Sequence, residues 1–256
     1  MATRLLPWAL PACALGLWSL LSFGGLVAPY LLPSPGEVLD TAFSYIFAEK
    51  GTTPLAGRFL GDAMASLGRA GAGFALAVAI GLPLGFISGR IKAMRLFFET
   101  FFNGVRAVPG IAWLPLALVW FGIGFTTTVF LVSLCAFFPI YLGAVSGAMQ
   151  VNQLFLRAGA MMGLGRGRLL FSVLVPATMP HVLTGLRLGL GISFAYLVLG
   201  ELTGVNHGLG ATIMDARMQG RVDIIIMGIL LIAVIGRLAD SALSWGLKIF
   251  KSVRRL

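Results

Sequence analysis

Long stretches without any charged residue dominate this sequence and constrain its fold more than any other feature. Four of them are Leu5–Gly36, Ala70–Ser88, Ala107–Leu156 and Ile224–Gly236. About 20 apolar residues cross the hydrocarbon core of a bilayer as a helix, and the longest stretch has room for two crossings. Only 11% of the residues are charged, whereas soluble domains carry about 25%. This pattern excludes a water-soluble globular protein.

Six membrane-spanning helices are predicted, giving an all-α membrane protein. They cover roughly Leu5–Val27, Ala70–Ser88, Leu96–Gly122, Thr126–Met149, Pro180–Glu201 and Ile224–Leu247. Residues 1–66 are expected to hold the first helix and an amphipathic segment on the outer side, and residues 67–256 the transmembrane core with a loop at 150–172. Within the first part, Leu32–Pro35 should be extended, because residues before proline avoid the helical region.

The distribution of basic residues predicts the orientation. The connections on one side of the predicted helices carry eleven basic residues and no acidic ones: Arg4, Arg90, Lys92, Arg95, Arg157, Arg166, Arg168, Lys248, Lys251, Arg254 and Arg255. The other side carries Lys50, Arg58, Arg217 and Arg221 together with six acids. Because basic loops stay in the cytoplasm, both termini are predicted to be cytoplasmic. The formal charge of +10 is therefore explained by the orientation of the chain in the membrane, and nucleic acid is not an expected partner.

Glycines four residues apart recur at Gly81/Gly85, Gly143/Gly147 and Gly185/Gly189. Such pairs let helix backbones approach closely in a membrane. The sequence leaves open whether they pack helices within one chain or between two subunits.

Residues 150–180 differ from an ordinary connecting loop. Leu154, Phe155, Ala158 and Met161 follow a helical apolar pattern, and Gly163, Gly165 and Gly167 follow as a turn. A second apolar segment with basic residues then leads into a proline. Two short helices that meet at a glycine corner would form a protrusion suited to a groove on a partner protein.

This segment resembles the EAA motif of ABC importer permeases, which reads E-A-A, three residues, G, nine residues, I-x-L-P. The corresponding residues here are Arg157-Ala158-Gly159, Gly163 and Val173-Leu174-Val175-Pro176. The glycine, one alanine and the proline match, whereas Arg157 replaces the glutamate. The resemblance implies that an ATPase subunit docks on Arg157, Ala158, Gly159, Gly163, Leu164, Gly165, Arg166, Arg168 and Pro176.

Further motifs are similar to the nitrate/sulfonate/taurine branch of this type I importer family. They are Leu32–Val38, Arg106–Pro109, Trp113–Pro115, Trp120–Gly122, Gly200–Leu202, His207–Gly210 with Asp215-Ala216, and Val222-Asp223. The family implies two permease subunits, expected here as a homodimer, two ATPase subunits that bind ATP and Mg²⁺, and a substrate-binding protein. His207, Asp215 and Arg217 are candidates for contact with that protein. The expected cargo is an alkanesulfonate or taurine; nitrate, bicarbonate or a thiamine precursor are alternatives.

The translocation path is predicted along the third and fifth helices. Charge inside a membrane is costly and needs a reason, and proline frees backbone carbonyls that only protein or cavity water can satisfy. The candidates are Arg106, Pro109, Trp113, Pro115, Arg187 and Glu201. Arg187 has a second interpretation, in which its side chain extends to the membrane surface without a role in transport.

Other functional classes fit less well. An intramembrane serine protease is one alternative. Ser146 lies between small residues and could act as its nucleophile, but the sequence places neither His181 nor His207 near it as a base. A channel or secondary carrier would explain the helices but not residues 150–172. The sequence holds no nucleotide-binding glycine loop with Lys-Ser/Thr and no cluster of metal-ligating residues, so no cofactor is expected on this chain.

Overall fold

A computed structural model describes residues 2–25, 27–49 and 55–253, with the side chains of residues 2–8, 166 and 247–253 left out. Lys50, a residue of the orientation prediction, lies outside these ranges. Every regular element in the described ranges is helical. The chain forms two compact units, residues 1–66 with 204–234 and residues 67–203 with 235–256. Compactness does not identify a functional domain, so the predicted division at residue 66 stays a prediction.

The helices follow one another through short connections. They are α1 (Ala2–Phe23), α2 (Pro35–Phe47), α3 (Phe59–Arg90), α4 (Lys92–Ala107), α5 (Leu114–Phe121), α6 (Phe125–Gln150), α7 (Gln153–Met161), α8 (Arg166–Leu169), α9 (Val175–Glu201), α10 (Leu209–Met218) and α11 (Val222–Val253). A 3₁₀ turn, Gly110–Trp113, precedes α5, and a π turn, Leu170–Leu174, joins α8 to α9.

The predicted extended conformation before α2 is confirmed at Ser34. Ser34 is extended (φ −67°, ψ 152°), and its hydroxyl accepts a hydrogen bond from the Glu37 amide at 3.2 Å. The Glu37 carboxylate accepts one from the Ser34 amide at 3.1 Å. This reciprocal capping box satisfies two donors that a helix start leaves free, and Pro35 suits the first turn because it lacks an N–H.

Four helices are long and apolar enough to cross a membrane: Phe59–Arg90, Phe125–Gln150, Gly167–Glu201 and Val222–Gly246. The second, fourth and sixth predicted spans are thereby confirmed, with longer helices than expected. The first predicted span falls on α1, Ala2–Phe23, a helix of 22 residues, of which Ala9–Phe23 is the apolar part with described side chains. At about 1.5 Å per residue, α1 is long enough for a hydrocarbon thickness of about 30 Å.

The structure refines two of the predicted spans. The predicted third span, Leu96–Gly122, falls on two helices, Lys92–Ala107 and Gly110–Phe121, which together are apolar enough for one span and are bent by 86°. Val108 is extended (φ −76°, ψ 120°), because Pro109 disfavours a helical residue before it. The predicted fifth span begins at Gly167 instead of Pro180, since the apolar residues after the glycine corner continue straight into the membrane helix.

The glycine pairs pack helices within the chain. An ideal Cβ on Gly185 of α9 would lie 2.6 Å from the Pro139 carbonyl oxygen of α6, and one on Gly143 would lie 2.9 Å from the Gly185 Cα. On α3, a Cβ on Gly85 would lie 2.5 Å from the Ala144 Cβ. The intrachain alternative therefore holds for all three helices. Around these contacts lies the buried cluster of Ala77, Ala136, Ile140, Ala144, Val182 and Leu186.

Candidate functional site

The segment α7–α8 exposes a large apolar surface. Leu154 and Phe155 are 65% and 63% exposed, and Met161 and Met162 are 88% and 81% exposed. Asn152 caps the start of α7, where its side chain accepts the Leu154 amide at 2.9 Å. A short helix that presents its apolar residues outward needs a partner to cover them.

Gly163 shapes the corner after α7. It has φ +80°, a left-handed conformation that side chains resist. Its amide donates to the Ala160 carbonyl at 3.0 Å, and the Leu164 amide donates to the Gly159 carbonyl at 3.1 Å. These two bonds form a Schellman motif, which satisfies the last carbonyls of the helix. The corner is thus a defined turn.

Gly159 of α7 lies close to Leu164 and Leu169, which follow the corner in the sequence. It is buried, and an ideal Cβ there would lie 2.7 Å from Leu169 Cδ2 and 3.4 Å from Leu164 Cδ1. Alanine, which the EAA motif has at this position, would crowd Leu169 in this conformation. The other predicted docking residues Arg157, Ala158, Gly165 and Arg168 are exposed, and the side chain of Arg166 lies outside the described residues.

A π turn connects the docking segment to α9. The Val175 amide donates to the Leu170 carbonyl, five residues back. Pro176 follows directly; it has no N–H for the carbonyl four residues earlier, and its ring clashes with that carbonyl in an α-helix. The wider turn relieves this clash. Pro176, a predicted docking residue, is half-buried and determines the geometry of this junction.

Arg106 lines two adjacent cavities between α4 and α6. The first, of about 550 Å³, contains Arg95, Glu99, Phe102, Asn103, Arg106 and Tyr141. The second, of about 450 Å³, contains Arg106, Gly110, Trp113, Cys135 and Tyr196. Arg106 is exposed and forms no salt bridge with any described carboxylate.

The bend at Pro109 explains how these residues meet. The backbone turns there, so that Trp113 on the far side of the turn reaches the same cavity as Arg106. Pro115 lies in the first turn of α5 and is exposed. Arg106 and Trp113, on either side of Pro109, therefore line one cavity.

Arg187 lines neither of these two cavities. Its Nε and Nη2 donate to the two carboxylate oxygens of Asp240 on α11 at 2.8 and 2.7 Å. Arg237 lies 3.4 Å from the same carboxylate. The sequence pairs Arg237 with Asp240 through their spacing of three, but the bidentate partner of Asp240 is Arg187. Arg187 shares no described cavity with Arg106.

Glu201 forms a buried ion pair with Arg69. Arg69 Nη1 donates to Glu201 Oε1 at 2.6 Å, and the Glu201 side chain has no exposed surface. In this conformation Glu201 cannot contact a transported solute. Arg69, which directly precedes the second predicted span, was not among the residues predicted for the site.

A second buried carboxylate, Asp62 at the start of α3, was also missed. It accepts hydrogen bonds from the Tyr45 hydroxyl at 2.8 Å and the Gly208 amide at 3.1 Å. Burial raises the pKa of Tyr45 well above its ordinary value, so this phenol remains a donor. Thr212 Oγ1 lies 3.3 Å from the same carboxylate. Asp62 therefore joins α2, α3 and the turn before α10.

Of the predicted binding-protein contacts, His207 lies beside this carboxylate. His207 is 72% exposed, with its Nδ1 3.8 Å from Asp62 Oδ1. On α10, Asp215 is half-buried and Arg217 is exposed. These residues occupy one connection, which the sequence did not predict to be helical.

Comparison with known proteins identifies the family to which this chain belongs. Residues 81–245 match the family described as binding-protein-dependent transport system inner membrane component. The chain belongs to this family. It is 32% identical to the taurine transport system permease protein TauC of Escherichia coli, over 91% of this chain and 83% of TauC. It is also 32% identical to the nitrate import permease protein NrtB of Synechocystis, over 82% of this chain and 76% of NrtB.

The fold of the permease agrees with a solved ABC transporter. An inward-facing structure of the MetNI methionine ABC transporter superimposes with a TM-score of 0.59 at 18% identity, covering 75% of this chain and 99% of the other. The protein is a permease subunit of an ABC importer, a pore component without catalytic activity of its own. Membership in the family implies an ATPase subunit and a substrate-binding protein as partners.

Proposed function

We propose that this permease carries a small sulfonate-class organic anion across the bacterial inner membrane as a homodimer, with ATP and Mg²⁺ held by a separate ATPase. Nitrate is the second candidate, because the nitrate permease NrtB is as similar in sequence as the taurine permease TauC. In the proposed orientation both termini and the α7–α8 corner face the cytoplasm.

The observation that carries the cargo class is the unpaired guanidinium of Arg106 between two cavities. The first cavity has two arginines against one carboxylate, Glu99, and Asn103 and Tyr141 add neutral hydrogen-bond donors. An arginine fork matches the oxygens of an anion. An intramembrane arginine without a carboxylate partner is costly, and an anionic cargo would supply the missing charge.

The docking roles follow from exposure. The apolar residues Leu154, Phe155, Met161 and Met162 would bind a groove on the ATPase, and Arg157 and Arg168 would lie at its polar rim. His207, Asp215 and Arg217, at the opposite end of α9 in sequence, would contact the binding protein. A π turn lies between the docking corner and α9, and such turns are frequent at functional sites.

Transport by the complete importer in proteoliposomes tests the cargo proposal. With the binding protein and ATP present, uptake of labelled taurine and nitrate is measured for the wild type and for Arg106→Gln, Arg106→Lys and Lys92→Gln. Loss of a charged hydrogen bond of about 1.5–3 kcal/mol should raise the apparent KM of Arg106→Gln at least tenfold, while Arg106→Lys keeps part of the affinity. Lys92→Gln removes an exposed charge from the same helix and should leave uptake unchanged.

If a fully assembled Arg106→Gln variant took up the anions as well as the wild type does, Arg106 would not lie on the translocation path. Uptake of neither anion by the wild type would refute the cargo class. The orientation is tested separately with Arg166→Cys and Arg217→Cys in intact cells. An impermeant thiol reagent should label residue 217 only, and labelling of residue 166 would reverse the topology.

A further inference from the structure

The cluster of Arg187, Arg237 and Asp240 lines a cavity of about 670 Å³ between α9 and α11, together with Ser241 and Trp245. Two guanidinium groups face one carboxylate, so the cavity has a formal charge of +1. Asp240 holds Arg187 through two hydrogen bonds, which leave three of the five guanidinium donors for other partners. Arg237 is 75% exposed.

The surroundings of these charges are apolar and exposed. Leu188 on α9 is 58% exposed, and Leu238 and Trp245 on α11 are 63% and 69% exposed. Leu238 and Trp245 are seven residues apart and therefore share one face of the helix. Apolar side chains suit lipid acyl chains, and tryptophan is enriched where acyl chains meet headgroups.

The depth of the cluster fits the headgroup boundary. After Asp240, α11 carries no charged residue until Lys248, which lies about 12 Å further along the helix at roughly 1.5 Å per residue. Arginine side chains extend several ångströms towards the membrane surface from such a position. Lys248 and Lys251 follow in the sequence, which makes this end of the helix the basic one.

We propose that the cavity between α9 and α11 binds the phosphate headgroup of an anionic phospholipid. Arg237 and the free donors of Arg187 contact the phosphate oxygens, Asp240 keeps Arg187 in position, and Leu188, Leu238 and Trp245 contact the acyl chains. Basic pockets between membrane helices recognise anionic headgroups in this way. The binding is independent of the transported solute.

Native mass spectrometry of the detergent-solubilised complete transporter tests this site. Phosphatidylglycerol and phosphatidylcholine are titrated against the wild type, Arg237→Gln, Arg237→Lys and Lys92→Gln. One arginine near an anionic lipid surface contributes about 1 kcal/mol, so Arg237→Gln should weaken phosphatidylglycerol binding about fivefold. Arg237→Lys and Lys92→Gln should bind like the wild type, and phosphatidylcholine binding should not respond to any substitution.

Three results would overturn the proposal. The first is equal phosphatidylglycerol binding by Arg237→Gln and Lys92→Gln. The second is displacement of the lipid by free glycerol phosphate at an equal concentration, which would mean that the site recognises soluble phosphate. The third is a crosslink from residue 241, after Ser241→Cys, to the ATPase or to a second permease, which would show that protein covers the cavity.

Discussion

Replacement of Gly163 by alanine should weaken the association of the permease with its ATPase. Gly163 has φ +80°, and an ideal Cβ at this position would meet no atom within 4 Å. The cost is therefore conformational, about 1–2 kcal/mol for an L-residue in the left-handed region, and not steric. Where the corner must keep its shape to fit the partner, this cost corresponds to about a five- to thirtyfold loss of affinity.

Two further variants isolate the cause. Gly163→Asn adds a larger side chain that tolerates the left-handed region and should lose less than half of the effect of alanine. Gly167→Ala also places a Cβ in open space, but Gly167 does not have a positive φ, so affinity should stay near the wild type. The measurement is the equilibrium binding of labelled ATPase subunit to the permease in nanodiscs, with thermal stability recorded in parallel.

Equal binding of the ATPase by Gly163→Ala and Gly163→Asn would refute a conformational cause. If Gly167→Ala bound as weakly as Gly163→Ala, the loss would come from an added side chain in the contact surface. A drop in the melting temperature of Gly163→Ala alone would assign the glycine to folding instead of docking.

Two other predictions concern the helix packing. Glu201→Gln should destabilise the permease by about 3–5 kcal/mol, because it leaves Arg69 buried without its counter-charge; unfolding in detergent should show a smaller additional loss in the double variant with Arg69→Gln, and strictly additive effects would refute the pairing. Gly185→Ala should lower the melting temperature, since its Cβ would lie 2.6 Å from the Pro139 carbonyl oxygen, whereas Gly191→Ala in the same helix has nothing within 4 Å and should not.

The sequence by itself determined the class of fold. Apolar length sets where helices can cross a bilayer, and proline and glycine act on the local backbone. The capping box at Ser34, the bend at Pro109 and the turn at Gly163 were therefore within reach of sequence patterns. Their interactions involve residues only a few positions apart.

Helix ends inside apolar segments were harder to predict. The sequence analysis placed breaks before Ala70 and Pro180, but α3 begins at Phe59 and the fifth span at Gly167. Hydropathy reports where lipid can surround a helix, whereas backbone hydrogen bonding continues wherever no residue interrupts it. The helices accordingly extend past the apolar boundary.

Only the tertiary structure decided which charges meet. Glu201 pairs with Arg69, Asp240 with Arg187, and Asp62 with the turn at Gly208. Electrostatic partners in an apolar interior are chosen by distance in space, and the fold brings these residues, more than fifty positions apart, to distances of 2.6 to 3.1 Å. The glycines of α6 and α9 allow these two helices to approach closely, and Arg187 on α9 is held by Asp240 instead of lining a cavity with Arg106.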